Sequence, residues 1–464
     1  MKTTRLKYFL LVMALIITNV VIAQHEHHEM QKDTAKADQM DHKQMDHSMM
    51  GHNMDSSMMP PMSHAFSLNL PMNRNGSGTG WLPDASPMYG YMVHSKKWMY
   101  MFHGNIFVRY NKQDVGDKGT RGDEKIDAPN WFMAMGQRRV GQKGLFHFNA
   151  MFSLDPLFGG DGYPLLFQTG ETFEGKPLVD RQHPHNLFSE LSIAYTQSFT
   201  KDIDAFVYFG YPGEPALGPV AFMHRPSSLN NLDSPLGHHW QDATHITFGV
   251  ATLGFRYKIF KVDGSIFTGR EPGEARYGFD KPTFDSYSYR LTVNPVRTLS
   301  AQVSHAFIKS PETVEPEEDV KRTTASLTHS LPLTGENHFL TSTFVWGYND
   351  SGDDHQENSY TFESNLQLDR FAVYSRYESI EKSASELLLE GFEDHELFGI
   401  NALTIGLNYT ILRQWNTNLA VGAQGTLYSA DSKLDAVYGN NPKSLEIYMR
   451  ISPGLMKMNQ MKMK

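Results

Sequence analysis

From about Trp98 onward, apolar and polar side chains alternate with a period of two, in about sixteen separate runs. Leu403, Ile405, Leu407 and Tyr409 alternate with Ala402, Thr404, Gly406 and Asn408. Leu419, Val421 and Ala423 alternate with Asn418, Ala420, Gly422 and Gln424, and Leu445, Ile447, Met449 and Ile451 with Glu446, Tyr448, Arg450 and Ser452. Trp98, Tyr100, Phe102, Ile106 and Val108 share one face, and His103, Asn105 and Arg109 the other. Successive side chains of an extended chain point to opposite sides, so each run is a strand with one apolar and one polar surface.

The runs begin near residues 98, 130, 144, 187, 203, 243, 261, 284, 298, 322, 338, 357, 370, 400, 416 and 443. Most are about 9–13 residues, the length of a tilted strand that crosses a bilayer. The spacers alternate in length. Val140–Lys143, Thr200–Asp202, Asn294–Arg297 and Asp369 are short, with Leu331–Asn337 slightly longer. The stretches 111–129, 154–186, 210–242, 270–283, 309–321, 347–356, 379–399 and 429–442 are long. Short turns at one rim and long loops at the other are the pattern of an outer-membrane barrel, and an even strand count places both termini on the periplasmic side. A soluble sandwich or jelly roll would not force this alternation. The fold class expected is therefore all-β, a transmembrane antiparallel barrel of about sixteen strands over residues 98–452. Its lumen is expected to be wet or plugged by loops, and wide enough for small solutes if open. Trp98, Trp131, Tyr195, Phe199, Tyr257, Trp415 and Tyr448 are candidates for interfacial girdles.

Residues 1–23 read as a secretory signal peptide. Lys2, Arg5 and Lys7 precede an apolar run from Tyr8 to Ile22, and Val21-Ile22-Ala23 offers a cleavage site. A membrane anchor is the alternative, but the run is short for a span and no basic stop-transfer cluster follows. Cleavage removes three of the 42 basic residues and none of the 51 acidic ones, leaving a formal charge near −12. That balance excludes a globally basic nucleic-acid binder. Cysteine is absent, which excludes disulfides, iron–sulfur clusters, thiolate zinc sites and a thiol nucleophile.

Residues 24–64 form a tail rich in metal donors: His25, His27, His28, Met30, Met40, His42, Met45, His47, Met49, Met50, His52, Met54, Met58, Met59, Met62 and His64. Branched aliphatic residues are almost missing, so the tail is expected to be disordered when free. Thioether sulfur is a soft ligand suited to Cu(I), and imidazole suits Cu(II), Zn(II) and Ni(II); the methionines favour copper over zinc. Residues 65–97 read as a linker, with the Gly/Pro/Ser-rich stretch 71–87 as flexible spacer. Residues 453–464 are a Met/Lys-rich C-terminal tail, where many outer-membrane barrels end on an aromatic residue.

A second candidate metal set lies in the long loops: His183 and His185 in Asp180–Asn186, His224 in Phe222–Pro226, and His238, His239 and His245 in and after Gly237–Asp242. The alternative is that these imidazoles bond to backbone carbonyls while Arg181 and Arg225 pair with nearby acids. Tyr211–Pro219 is rich in Pro and Gly and reads as an ordered loop folded into the lumen. No G-x-S-x-G, H-E-x-x-H or phosphate loop is present, so no enzyme activity is expected.

The tail MDHKQMDHSMMGHNM, behind a signal peptide and ahead of a β region, resembles the copper resistance protein B family of Gram-negative outer-membrane barrels. The segments DRQHPHNLFSELS, ALGPVAFMHRP and SPLGHHWQDATHITFG resemble instead an uncharacterised set of bacterial outer-membrane proteins. Together these imply an outer-membrane protein of copper homeostasis, Cu(I) or Cu(II) being the ion held. Its expected partners are outer-membrane lipid, metal ions and periplasmic copper carriers, with no nucleic acid. A general porin with an incidental tail and a membrane hydrolase using loop histidines are the alternatives.

Overall fold

The computed structural model describes residues 62–116, 118–313, 315–352 and 355–456; the leader, the tail through Met59 and residues 457–464 lie outside them. Sixteen antiparallel strands close into a barrel. The first eight are β1 (Met99–Lys112), β2 (Asn130–Val140), β3 (Gly144–Phe152), β4 (Phe188–Thr200), β5 (Ile203–Gly210), β6 (Val250–Tyr257), β7 (Phe260–Phe267) and β8 (Ser286–Val296). The second eight are β9 (Leu299–Ile308), β10 (Val320–Pro332), β11 (His338–Gly352), β12 (His355–Leu368), β13 (Phe371–Ser383), β14 (Leu397–Gln414), β15 (Thr417–Ala430) and β16 (Lys443–Pro453). The cylinder closes where β16 meets β1, with Ile447 opposite Tyr110, Met449 opposite Val108 and Ile451 opposite Ile106. Two short strands, Tyr91–His94 and Glu124–Asp127, complete the edges of β1 that β16 and β2 leave open.

The barrel is inside-out relative to a soluble protein. Ile405, Leu407, Ile447, Met449, Leu253 and Val262 face outward and are exposed. Their strand neighbours Thr404, Asn408, Glu446, Arg450 and Asp263 face inward and are buried. This is the register expected from the alternation, and such a surface needs hydrocarbon around it. An arginine at position 405, midway along β14, is expected to lower stability in lipid by about 2–4 kcal/mol. Ile411→Arg, nearer the rim, should cost about 0–1 kcal/mol. Denaturant titration of reversible folding into vesicles reads both, and equal costs would mean that this face is not in the bilayer.

Turns of two to five residues (141–143, 201–202, 258–259, 297–298, 333–337, 369–370 and 415–416) share one rim; the other holds the long connections and the short one at 353–354. Two boundaries differ from expectation. The strand expected from 243 starts at Val250, because Ile246 and Phe248 belong to a loop buried inside the barrel. The loop expected at 347–356 is mostly strand, β11 and β12 being joined across 353–354. Polar residues occupy both faces there, so the hydrophobic period vanishes while the hydrogen-bond ladder continues. Of the girdle candidates, Trp131 and Tyr448 turn inward: Trp131 meets His103 edge-on and His224 at a tilt, and Tyr448 donates to the Asn230 carbonyl.

The lumen is filled by three segments. The first is the stretch read as a linker, 65–97, and that reading is corrected. Thr79 donates to Asp263 of β7 at 2.6 Å and its carbonyl accepts from Lys261; Ser67 donates to Asp204 of β5 at 2.6 Å; the Leu82 carbonyl accepts from Asn294 of β8 at 2.9 Å. Glycines and small polar residues mark a spacer in water, yet they also fit a polar lumen that hydrogen-bonds them. The second segment, 153–187, packs Leu165, Leu166 and Phe167 against Ile380, Phe398, Tyr428 and Tyr438 at the long-loop end. The third is 211–249. Its Pro/Gly-rich start is ordered as expected: the Ala216 and Gly218 amides donate to Ser265 and Ser304 on the barrel wall.

Candidate functional site

The third segment is tied to the wall by buried charge. Arg225 bonds Asp242 at 2.9 Å and Glu363 of β12 at 2.7 Å, and Arg376 of β13 takes the other Glu363 oxygen at 3.2 Å. Arg109 of β1 bridges Asp127, Asp233 and Glu446 at 2.6–2.8 Å. Trp240 donates to Glu357 at 2.9 Å, and Asn230 to Asn365 at 2.8 Å. Each charge finds a partner, which burial in the lumen requires.

These ties bring five loop histidines together. Ring centroids lie 6.0 Å apart for His183–His238 and for His183–His239, 5.4 Å for His238–His239, 5.2 Å for His238–His245 and 5.7 Å for His185–His245. Every one has its Nδ1 engaged. His183 meets Glu171 at 3.1 Å, His185 meets Asp155 at 3.0 Å, His238 meets Asp242 at 2.6 Å and His239 meets Glu271 at 3.2 Å; His245 bonds the Asp242 carbonyl at 2.8 Å. Burial holds His183, His238 and His245 below the ordinary imidazole value, His245 at about 3. Burial acts the same way on His239, but Glu271 outweighs it and raises the net value. Among the described residues no three His, Asp or Glu side chains converge so as to hold an ion. The loop cluster is a set of imidazoles mostly clamped by carboxylates. Arg225 pairs with Asp242 as the alternative reading had it, whereas Arg181 reaches Asp123 and Asp161.

His224, the sixth member, stands apart, 5.7 Å from His103 of β1 and 4.8 Å from Trp131 of β2. This pair borders a group of thioethers. Met62, Met72, Met99, Met101, Met133, Met135 and Met151 form one buried cluster, with Met88, Met92, Met223 and Met456 packed against it. Met101 lies opposite Met135 across β1 and β2, and Met133 opposite Met151 across β2 and β3. Met99, opposite Gln137, lies close to the 141–143 turn, so the cluster begins near the short-turn rim.

Of the sixteen tail donors, His25 through Met59 lie outside the described residues. The last two are inside the barrel. Met62 is in the thioether cluster. The His64 Nδ1 accepts the Phe66 amide at 3.0 Å, and its Nε2 is buried without a hydrogen-bond partner. The barrel methionines and His103 were missed at the sequence level. Their signal is Met-x-Met-x-His at 99–103 and Met-x-Met at 133–135, on the inward register.

No protein-family model matches the chain, and no curated protein matches it. Solved outer-membrane structures are similar in outline. An anion-selective porin from Comamonas acidovorans aligns at 12% identity and a TM-score of 0.47, covering 77% of this chain and 99% of the porin. OmpF of Salmonella typhi, solved in complex with daunomycin, aligns at 8% identity and 0.48, covering 78% and 100%. The outer-membrane channel DcaP of Acinetobacter baumannii aligns at 8% identity and 0.42, covering 79% and 100%.

Proposed function

We propose that this chain is an outer-membrane barrel of copper homeostasis, whose periplasmic tail captures metal for sequestration or passage. One observation carries the reading: Met62, the last methionine of the tail, is buried among lumen methionines that begin near the short-turn rim. In bacterial outer-membrane barrels that rim faces the periplasm, so the last methionine of the donor-rich segment enters an interior rich in the same donor. Thioethers favour Cu(I) over harder ions, and the resemblance of the tail to copper resistance protein B supports the same metal. The filled lumen weighs against a general porin.

Deleting residues 24–59 leaves every described residue in place. Anaerobic Cu(I) titration of the mature and shortened proteins is expected to give a clearly lower stoichiometry for the shortened one, and a strain carrying it should lose copper tolerance. Equal stoichiometry and equal tolerance would remove the tail from the mechanism.

A further inference from the structure

On the other fourteen strands the inward positions are mainly polar, as Asp263, Arg290, Thr343, Glu363 and Arg376 are, with scattered Val and Ile such as Val250, Ile308, Val345, Ile380 and Ile400. β1 and β2 differ in the kind of aliphatic residue they turn inward. Their inward aliphatic side chains are Met99, Met101, Met133 and Met135, with no Leu, Ile or Val among them. Leucine would fill the same volume, so packing alone does not select methionine four times on two neighbouring strands. The plug supplies Met62, Met72, Met88 and Met223 to the same place.

Between wall and plug is a cavity of about 100 Å³, lined by Met88, Met101, Met133, Met135 and Met223 and by the rings of His103 and His224. That volume admits an ion. The His103 Nε2 is buried there with no hydrogen-bond partner, as are other ring nitrogens of the interior, and among these it is the one on the methionine-lined cavity. The other polar wall bears on the choice of ion. Arg225 and Arg450 also line the cavity; Arg225 is neutralised by Asp242 and Glu363, whereas Arg450 is held only by the amides of Asn105 and Asn230. Its charge opposes every cation, and a divalent ion twice as much as a monovalent one. Only an ion that gains covalency from sulfur offsets that repulsion, which describes Cu(I) and not Zn(II) or Cu(II).

We propose that this cavity is a binding site for a soft monovalent cation, Cu(I), held by thioethers of Met101, Met133 and Met135 with His103 as the nitrogen donor. The inference rests on the copper reading above and names the interior station to which the tail leads. Neutral ligands facing an arginine bind without a trapping anionic charge, so the ion is able to leave as well as enter.

The test uses the full mature chain with methionine ε-methyl groups labelled with carbon-13, and Ag(I) as a redox-inert substitute. Signals are assigned through Met101→Leu, Met133→Leu and Met135→Leu, and heat-modifiable gel mobility confirms that each variant is folded. Ag(I) is expected to shift the Met101, Met133 and Met135 signals while Zn(II) does not. The triple leucine variant should bind one Cu(I) fewer per chain, and His103→Phe should weaken the site about tenfold or more. If only other methionine signals shift, the interior site is refuted and the tail's role in copper binding stands. If no signal shifts, both fall. If the interior signals shift equally with Zn(II), the assignment to a soft ion is wrong.

Discussion

Exchanging Glu363 for alanine is expected to turn a closed barrel into a conducting one. Glu363 projects from β12 into the lumen and is almost fully buried. It accepts from Arg225 and Ser227 of the plug and from Arg376 of the wall. Alanine leaves two guanidinium groups in the interior with one shared anion gone, and breaking a buried pair in this way costs about 3–5 kcal/mol. The strand ladder does not depend on this side chain. The cheaper response is for the 211–249 segment to leave the wall and take Arg225 to water. Segments 65–97 and 153–187 remain, and the space that 211–249 leaves in a sixteen-stranded cylinder is wide enough for a water-filled path. In planar bilayers the parent should be nearly silent, Glu363→Ala should give frequent open steps, and Glu363→Gln, which keeps the hydrogen bonds without the charge, should lie between. Silence in the alanine variant, with the loop as protease-resistant as before, would show that the plug is held elsewhere.

The strands were legible and the plug was not, for one physical reason. A period of two records contrast between two solvents, and β14 or β16 separates lipid from a polar lumen along its whole middle. Residues 65–97 and 211–249 touch polar groups on every side, so no period marks them, and Gly76-Ser77-Gly78-Thr79-Gly80 reads the same whether it hangs in water or lies against Asp263 and Glu214. Where β11 and β12 rise past the apolar band the contrast ends, and the strands were cut short at 347–356. The loop histidines were identified as neighbours, but their partners Glu171, Asp155 and Glu271 are distant in sequence or in separate loops. The methionine wall was within reach: with Phe102 and Val108 outward, Met99, Met101 and His103 had to face in. Methionine counted as one more apolar residue, so its place in a polar lumen went unused. The tail was bounded by donor type rather than burial, which set Met62 and His64 on the wrong side of the join.

Acid should release the same plug without any substitution. Burial holds His183, His238 and His245 below their ordinary value, so the docked loop resists protons that the undocked loop accepts. For such groups docking is at full strength above about pH 6.5 and weakens as pH falls. Each contributes a loss of about 1.4 kcal/mol per pH unit until its docked value is reached, which for His245 is about 3. His239 has the opposite sign. Its raised value favours docking, but that gain is complete once pH is below about 6.5, so it cannot offset the continuing loss from the others. The surrounding charges are Asp155, Glu171, Asp242, Glu271, Glu312, Arg225, Arg276, Arg322 and Lys382. Against the pull of burial, His239 holds Glu271 below the ordinary carboxylate value, so its protonation adds to the release, whereas burial raises Glu171, whose protonation favours the docked loop and opposes it. Trp240, buried beside Glu357, is the reporter. Acrylamide quenching is expected to rise reversibly between about pH 6 and pH 4 while gel mobility still shows a folded barrel. Trp240→Phe should abolish the change, and His245→Phe should move its midpoint to lower pH. A midpoint unmoved by His245→Phe, or quenching that rises only when the barrel itself unfolds, would overturn the histidine switch.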